Sequence, residues 1–234
     1  MLVINKPIIP LYGIIVVLSV FIGCLYIYLN MKKQIKNKGH ILLYFMLYIS
    51  FAFVFGILYS SFVNIGTPGF TLGLSAYGGL LGTIIASIVF EFILPSNKQI
   101  IKYTIISLPL VYGLAKIACF VSGCCYGLPY EGFLSVVYPD GLNIPLFPVQ
   151  LLEVVLSLIL FVIINIFKDK KNISYICLIF VSIIKFSTDF LRYDHLTTKI
   201  TSNQIFSIIL IIVVIVLFII NNRRLTYGKK QKRI

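Results

Sequence analysis

Seven apolar runs, each close to the length of a bilayer-spanning helix, take up most of this 234-residue sequence. They cover approximately residues 9–30, 41–62, 72–94, 103–122, 148–167, 173–192 and 204–221. A helix needs about 20 mostly apolar residues to cross the hydrocarbon core. Inside lipid it must also pair its own backbone polar groups. The runs predict an all-α integral membrane protein, a seven-transmembrane-helix bundle that forms a single domain, residues 1–234.

The composition excludes an ordinary soluble protein. Hydrophobic residues make up 59% of the chain and charged residues only 12%, whereas soluble domains carry about 25% charged residues. A net charge of +13 would suggest a nucleic-acid partner in a soluble protein. Here the basic residues lie in short loops between apolar runs, where they orient helices, so we expect no nucleic acid. The first run lacks a small-residue cleavage site behind it, which favours a retained helix over a signal peptide.

Most of the basic residues predict the orientation. Fifteen of the 20 Lys and Arg residues follow the first, third, fifth or seventh run, and seven spans place them all on one side. They are Lys32, Lys33, Lys36, Lys38, Lys98, Lys102, Lys168, Lys170, Lys171, Arg223, Arg224, Lys229, Lys230, Lys232 and Arg233. Positive residues stay cytoplasmic, so the N-terminus is predicted outside and the C-terminus inside. The Gly- and Pro-rich segment 123–147 is then a small extracytoplasmic cap.

A few charged residues lie inside or at the edge of the apolar runs. A charge at the bilayer centre costs ~2.5–3.5 kcal/mol on insertion scales, so it normally faces the bundle interior and has a partner. Lys185 and Asp189 are four residues apart and share a helix face, with Arg192 three residues further on. In one interpretation Lys185 and Asp189 pair and hold the bundle. In the other, they join Lys116 and Glu153 in a hydrated cationic pocket that opens to the outer leaflet.

The excess of cations at membrane depth suits an anionic ligand such as a phospholipid phosphate. The glycine stripe Gly78, Gly79 and Gly82 has two interpretations, tight helix packing or room for a lipid headgroup against the backbone. His195 is a lone histidine, and we expect it to be a bystander.

Three cysteines cluster in one segment of the sequence, at Cys119, Cys124 and Cys125. They have no second Cys or His pair nearby and so do not make a zinc signature. We therefore expect no metal and no cofactor.

Six short motifs occur in order along the chain. They are Tyr12-Gly13, GLSAYGGLLG at 73–82, KIACFVSGCCYG at 116–127, FPVQLLE at 147–153, KFSTDFLR at 185–192 and QIFS at 204–207. They resemble the Y-G, G-L-S-F-H-G-G-L-I-G, R-I-G-N-F-I-N-G-E-x-x-G, H-P-S-Q-L-Y-E, R-x-x-x-E-F-x-R and Q-I-L-S motifs of the prolipoprotein diacylglyceryl transferases. These bacterial enzymes move diacylglycerol from phosphatidylglycerol onto a lipobox cysteine.

The resemblance implies a phospholipid-dependent transferase in the bacterial cytoplasmic membrane. Its partners would be phosphatidylglycerol, membrane lipid, and a secreted prolipoprotein or other cysteine-bearing peptide. The implied catalytic residues are Tyr77, Lys116, Lys185 and Asp189. The implied substrate-binding residues are Tyr12, Gly78, Gly79, Cys119, Gly127, Gln150, Glu153 and Arg192.

The chain departs from the family motifs at several of these positions. Tyr77 stands where the motif has histidine, Lys116 and Lys185 replace arginines, and Cys119 replaces asparagine. Lysine still offers a positive charge to a phosphate, although without the bidentate fork of arginine. Two alternatives therefore stay open: a diverged paralogue with a different acceptor, in which a pocket cysteine carries an acyl group, and a non-catalytic lipid-binding protein.

Overall fold

The computed structural model describes residues 2–5, 11–32, 35, 37–65, 73–94, 99–139 and 141–231, without the side chains of 38 and 224–231. Seven α-helices occur in this part of the chain. They are α1 (Leu11–Met31), α2 (Lys38–Val63), α3 (Ala76–Ile93), α4 (Ile100–Val121), α5 (Val149–Ile166), α6 (Ile173–Asp189) and α7 (Ser202–Gln231). Two short strands, β1 (Leu2–Val3) and β2 (Val136–Val137), and a 3-10 turn (Tyr193–Leu196) complete the elements.

The helices have the character expected of a membrane bundle. Six of those in the described residues, all except α6, are long and apolar enough to cross a bilayer. Large apolar side chains cover their outer faces, for example Phe62 at 75% and Phe92 at 87% exposure. Such faces match hydrocarbon, because lipid tails are as apolar as the side chains they meet. The prediction of an all-helical membrane protein is confirmed.

Several helix boundaries differ from the predicted ones. Helix α6 ends at Asp189 and Arg192 has an extended backbone, so the prediction that Arg192 continues the α6 face was wrong. Helix α3 begins only at Ala76, because Ser75 is an extended N-cap, a position that serine favours. Helix α7 continues to Gln231, since polar Lys, Arg and Gln form helix as readily as apolar residues.

Some sequence predictions fall on residues outside the described part of the chain. Among the basic residues used for the orientation, these are Lys33, Lys36, Lys98, Lys232 and Arg233. Residues 9, 10 and 72, at the edges of two predicted spans, also lie outside it.

Glycines bring α2 and α3 into close contact. A Cβ at Gly78 would lie 2.1 Å from the carbonyl oxygen of Phe55, and one at Gly82 would lie 2.2 Å from that of Phe51. Only glycine permits so close an approach of two backbones. A Cβ at Gly79 would meet its nearest atom at 3.8 Å, an ordinary contact. Gly78 and Gly82 therefore support the packing interpretation of the glycine stripe.

Residues 123–139 and 141–147 form a folded non-helical unit between α4 and α5. Strand β2 pairs in parallel with β1, and Val136, Tyr138 and Leu146 form a small core. Gly127 forms an antiparallel bridge with Arg192. A Cβ at Gly127 would lie 2.5 Å from the carbonyl oxygen of Phe147. The segment thus fastens the chain after α6 to the chain after α4 and places Arg192 beside it.

Candidate active site

One buried carboxylate, Glu153 on α5, gathers groups from α4 and α6. Its Oε2 lies 2.6 Å from Lys116 Nζ, and its Oε1 lies 3.5 Å from Lys185 Nζ. Tyr112 Oη donates to Oε1 at 2.7 Å and accepts from Lys185 Nζ at 2.8 Å, and Thr188 Oγ1 lies 3.2 Å from Oε1. Two cations therefore share one carboxylate, and this Glu153 cluster keeps one positive charge in excess.

Of the two interpretations of the α6 charges, the one that pairs Lys185 with Asp189 does not hold. The two residues share a face of α6, but the Lys185 ammonium reaches across to Glu153 on α5. Tyr112 was missed by sequence reasoning. It lies one helical turn before Lys116 on α4, and this i, i+4 spacing was the signal that could have found it.

Tyr77 lies beside the same cluster, at the junction of α3 and α7. Lys185 Nζ is 5.1 Å from the centroid of the Tyr77 ring, within range of a cation–π contact. The Tyr77 hydroxyl is hydrogen-bonded to Ser207 Oγ on α7. The Phe206 ring packs against it with the centroids 4.5 Å apart. The residue at the position of the family histidine thus contacts Lys185 through its ring and α7 through its hydroxyl.

A second buried carboxylate, Asp189, lies at the end of α6 and has a different environment. Arg192 Nη1 and His195 Nε2 each lie 3.6 Å from its oxygens. These distances are too long for hydrogen bonds. Thr201 Oγ1 donates to Asp189 Oδ2. We call these four residues the Asp189 cluster.

The Asp189 cluster contains polar atoms with unmet hydrogen-bonding capacity. Asp189 Oδ1, Arg192 Nε and His195 Nε2 are buried and make no hydrogen bond in the described structure. His195 was expected to be a bystander, yet its side chain is only 10% exposed and lies against Asp189. The 3-10 turn that returns it to Asp189 follows from no pattern in the sequence.

The two clusters adjoin one another and a cavity. Arg192 interacts electrostatically with Lys116, Lys185 and Glu153. The cavity has a volume of about 320 Å³. Its lining consists of Gly123, Cys124, Cys125, Tyr126, Arg192, Tyr193 and Asp194. Arg192 therefore lies both near the buried charges and at the wall of the cavity.

The remaining predicted substrate-binding residues lie around this region in different roles. Gln150 is fully buried and its Nε2 donates to the carbonyl of Cys124 at 2.8 Å, which fastens the cavity wall to α5. Tyr12 lies near Lys116 and the three clustered cysteines. Gly78 and Gly127 serve close backbone packing, whereas a Cβ at Gly79 would make only an ordinary contact.

The three clustered cysteines converge in space. The Sγ atoms of Cys119, Cys124 and Cys125 all lie within 4.8 Å of one another. Hydrogen bonds from the Cys119 and Cys124 thiols, helped by the charges of Lys116 and Arg192, hold the pKa of the Cys125 thiol well below its usual range. The sequence spacing alone gave no indication of this convergence.

A family model for prolipoprotein diacylglyceryl transferase matches residues 2–220. The chain belongs to the prolipoprotein diacylglyceryl transferase family. It is 28% identical over 134 residues to phosphatidylglycerol–prolipoprotein diacylglyceryl transferase 2 of Clostridium perfringens, covering 54% of this chain and 51% of that protein. It is 29% identical over 126 residues to the phosphatidylglycerol–prolipoprotein diacylglyceryl transferase of Mannheimia succiniciproducens, covering 51% of this chain and 47% of that protein.

The alignments thus span about half the length of the curated relatives that the chain matches. The family predicted from the motifs is confirmed, and it is a family of transferases. Together with the apolar helices, this makes the chain a multi-pass membrane protein.

Proposed function

We propose that this chain is a phospholipid-dependent transferase that moves the diacylglyceryl group of phosphatidylglycerol to the cysteine thiol of a secreted prolipoprotein. The family match supports the reaction class. The observation that carries the proposal is Arg192, which lines the cavity and has a buried Nε without a hydrogen-bond partner in the described structure. A guanidinium group presents a planar fork of donors that matches the oxygens of a phosphate.

The phosphate is held by Arg192 at the cavity, with Lys116 and Lys185 behind it. The two lysines share Glu153, so the Glu153 cluster contributes about one unit of positive charge toward the cavity. As the phosphate becomes a leaving group, negative charge accumulates on its oxygens. Cations already fixed in place stabilise that charge without reorganising.

The transfer itself is a displacement at carbon. The acceptor thiolate attacks the carbon of the diacylglyceryl group that carries the phosphate ester. The carbon–oxygen bond breaks, a carbon–sulfur bond forms, and glycerol phosphate leaves. The thiol must first lose its proton, because the thiolate is the nucleophile. Asp189 with His195 is the proposed acceptor of that proton, since both present buried atoms without hydrogen bonds in the described structure.

The other predicted site residues are proposed to shape the site. Tyr77 positions Lys185 through its ring, and Glu153 and Gln150 orient the cationic groups and the cavity wall. Tyr12 and Cys119 both lie near Lys116. Gly79, where a Cβ would meet only an ordinary contact at 3.8 Å, admits lipid more readily than the tightly packed Gly78.

We propose seven spans, with α6 as the sixth, the N-terminus outside, the C-terminus inside and segment 123–147 as an extracytoplasmic cap of a bacterial cytoplasmic membrane protein. The 17 residues of α6 reach about 25 Å at 1.5 Å per residue, and the turns after Asp189 extend this length. A green fluorescent protein fused after residue 234 should fluoresce, and alkaline phosphatase fused there should be inactive. The reverse pattern would contradict the orientation.

Purified protein in phosphatidylglycerol vesicles tests the proposed reaction directly. A lipobox peptide should gain the mass of one diacylglyceryl group, and the same peptide with serine for cysteine should not. No lipidated peptide, beside an active family enzyme under the same conditions, would refute the proposal. Transfer to a cysteine peptide without a lipobox, but not to the lipobox peptide, would establish the different-acceptor alternative.

A further inference from the structure

The end of α4 is built so that three thiols face one point. Cys119 lies in the last turn of α4, and the backbone then reverses with positive φ at Gly123 (64°) and at Cys125 (55°). Positive φ is uncommon for a residue other than glycine. The amide of Cys124 donates to the carbonyl of Cys119 at 3.1 Å. The reversal carries Cys124 and Cys125 back to Cys119, with all three Sγ atoms within 4.8 Å of one another.

We propose that Cys119, Cys124 and Cys125 bind one Cu(I) ion. Soft thiolate ligands select Cu(I), zinc and iron–sulfur centres over harder metals. In the described part of the chain the group consists of three cysteines alone, without a histidine or carboxylate. Structural zinc is almost always bound by four protein ligands, whereas Cu(I) is stable with three thiolates. The ligand count therefore favours Cu(I) over structural zinc.

The surroundings meet the other requirements of a metal site, an orienting outer shell and an entry path. Gln150 Nε2 holds the carbonyl of Cys124 at 2.8 Å and fixes this part of the loop. The cavity lined by Cys124 and Cys125 connects the thiols to open space. Three thiolates and Cu(I) carry two negative charges together. Lys116 and Arg192 lie within electrostatic range of Cys125 and offset that charge.

This site goes beyond the proposed transfer reaction, although it adjoins the same cavity and the same two cations, Lys116 and Arg192. Of the three proposed ligands, only Cys119 was also placed at the transfer site, and none was given a part in the chemical step. A protein without transferase activity could bind copper here, and an active transferase could fail to bind it. The two proposals are therefore tested by separate measurements.

A Cu(I) titration of the full-length protein in detergent, under anaerobic reducing conditions and against a chromophoric chelator, tests the site. The wild type should retain one Cu(I) per chain, and X-ray absorption should show three sulfur neighbours. Cys119→Ser, Cys124→Ser and Cys125→Ser should each lower the affinity at least about 100-fold. The matched controls Cys24→Ser and Cys177→Ser remove buried cysteines elsewhere and should bind like the wild type.

A second measurement needs no variant and so does not depend on whether the variants fold. Cu(I) loading of the wild type should protect Cys119, Cys124 and Cys125 from alkylation, as mapped by mass spectrometry, without changing the labelling of Cys24 and Cys177. Three results would overturn the proposal: no stoichiometric Cu(I) binding, binding that survives in the triple serine variant, or retention of zinc but not Cu(I).

Discussion

Two buried carboxylates at neighbouring places in the bundle differ in how completely they are paired. Glu153 and Asp189 are each about 1% exposed. Glu153 Oε2 lies 2.6 Å from Lys116 Nζ. Its Oε1 accepts from Tyr112 and Thr188 and lies 3.5 Å from Lys185 Nζ. Asp189 accepts a hydrogen bond from Thr201 at Oδ2, but Arg192 and His195 lie at 3.6 Å, outside hydrogen-bond distance, and Oδ1 accepts none in the described structure.

This difference in pairing distinguishes a cluster that supports the fold from a cluster that is suited to bind a ligand. Buried polar atoms in proteins are nearly always hydrogen-bonded, and each exception calls for an explanation. The Glu153 cluster is paired within the protein and fixes α4, α5 and α6 to one another. The Asp189 cluster keeps unpartnered donors and acceptors next to a cavity, as a site prepared for a ligand would. The burial of the two carboxylates is the same, so burial alone does not identify the cluster that binds a ligand.

The largest expected effect is on stability, at Glu153. Glu153→Gln removes the counter-ion of two buried lysines, and breaking a buried ion pair from one side costs ~3–5 kcal/mol. We expect a markedly lower thermal unfolding midpoint in detergent. The control Asp194→Asn changes a carboxylate whose side chain is 61% exposed and should shift stability by less than about 0.5 kcal/mol. Equal effects of the two changes would contradict the supporting role assigned to the Glu153 cluster.

Arg192 should affect activity more than stability, because His195 stays beside Asp189 and the other ion pair, to Asp194, is exposed. Arg192→Ala removes the proposed contact to the phosphate, and removing one preorganised donor costs about 100-fold in rate or more. Arg192→Lys should recover part of the rate, because a point charge replaces the fork. The transfer assay measures both variants. A transfer rate of Arg192→Ala within a few-fold of the wild type would count against the assignment.

Adjacent glycines on α3 should respond differently to the same change. Gly78→Ala places a methyl group 2.1 Å from a backbone oxygen of α2, and overpacking costs ~1–3 kcal/mol. Gly79→Ala meets only an ordinary contact at 3.8 Å and should unfold like the wild type. If instead Gly79→Ala retains stability but loses phospholipid binding, the lipid lies along α3, which would enlarge the proposed site.

The smallest expected effect belongs to the Tyr77 hydroxyl. Tyr77→Phe keeps the ring over Lys185 and removes the bond to Ser207, which is worth about 1 kcal/mol of stability. Transfer should fall less than tenfold, because the ring positions Lys185 and the hydroxyl takes no proton. A loss of 100-fold or more in Tyr77→Phe, with normal unfolding, would instead make the hydroxyl a catalytic group.

Much of the fold and part of the site could be predicted from the sequence. Apolar length alone locates the helices, because a bilayer leaves few alternatives to them. Lys116, Glu153 and Lys185 could be placed together, since buried charges must find partners. The partner of Lys185 could not be predicted, because Asp189 on its own helix and Glu153 on α5 were both candidates. The packing of α5 against α6 selects Glu153.

The residues around the cavity were harder to predict, because they depend on irregular backbone. Arg192 left the helix face on which periodicity placed it. His195 reaches Asp189 through a 3-10 turn. The thiols meet because the chain reverses at Gly123 and Cys125. Periodicity describes helices and strands, and it carries no information about such turns.

The central claim is that Arg192 binds the phosphate of the lipid at the cavity. Native mass spectrometry of the protein in mixed phosphatidylglycerol and phosphatidylcholine micelles measures this most directly. The wild type and the control Lys102→Ala should retain phosphatidylglycerol selectively. Arg192→Ala, with an unchanged unfolding midpoint, should lose that selectivity. Selective retention of phosphatidylglycerol by Arg192→Ala at the wild-type level would contradict the account.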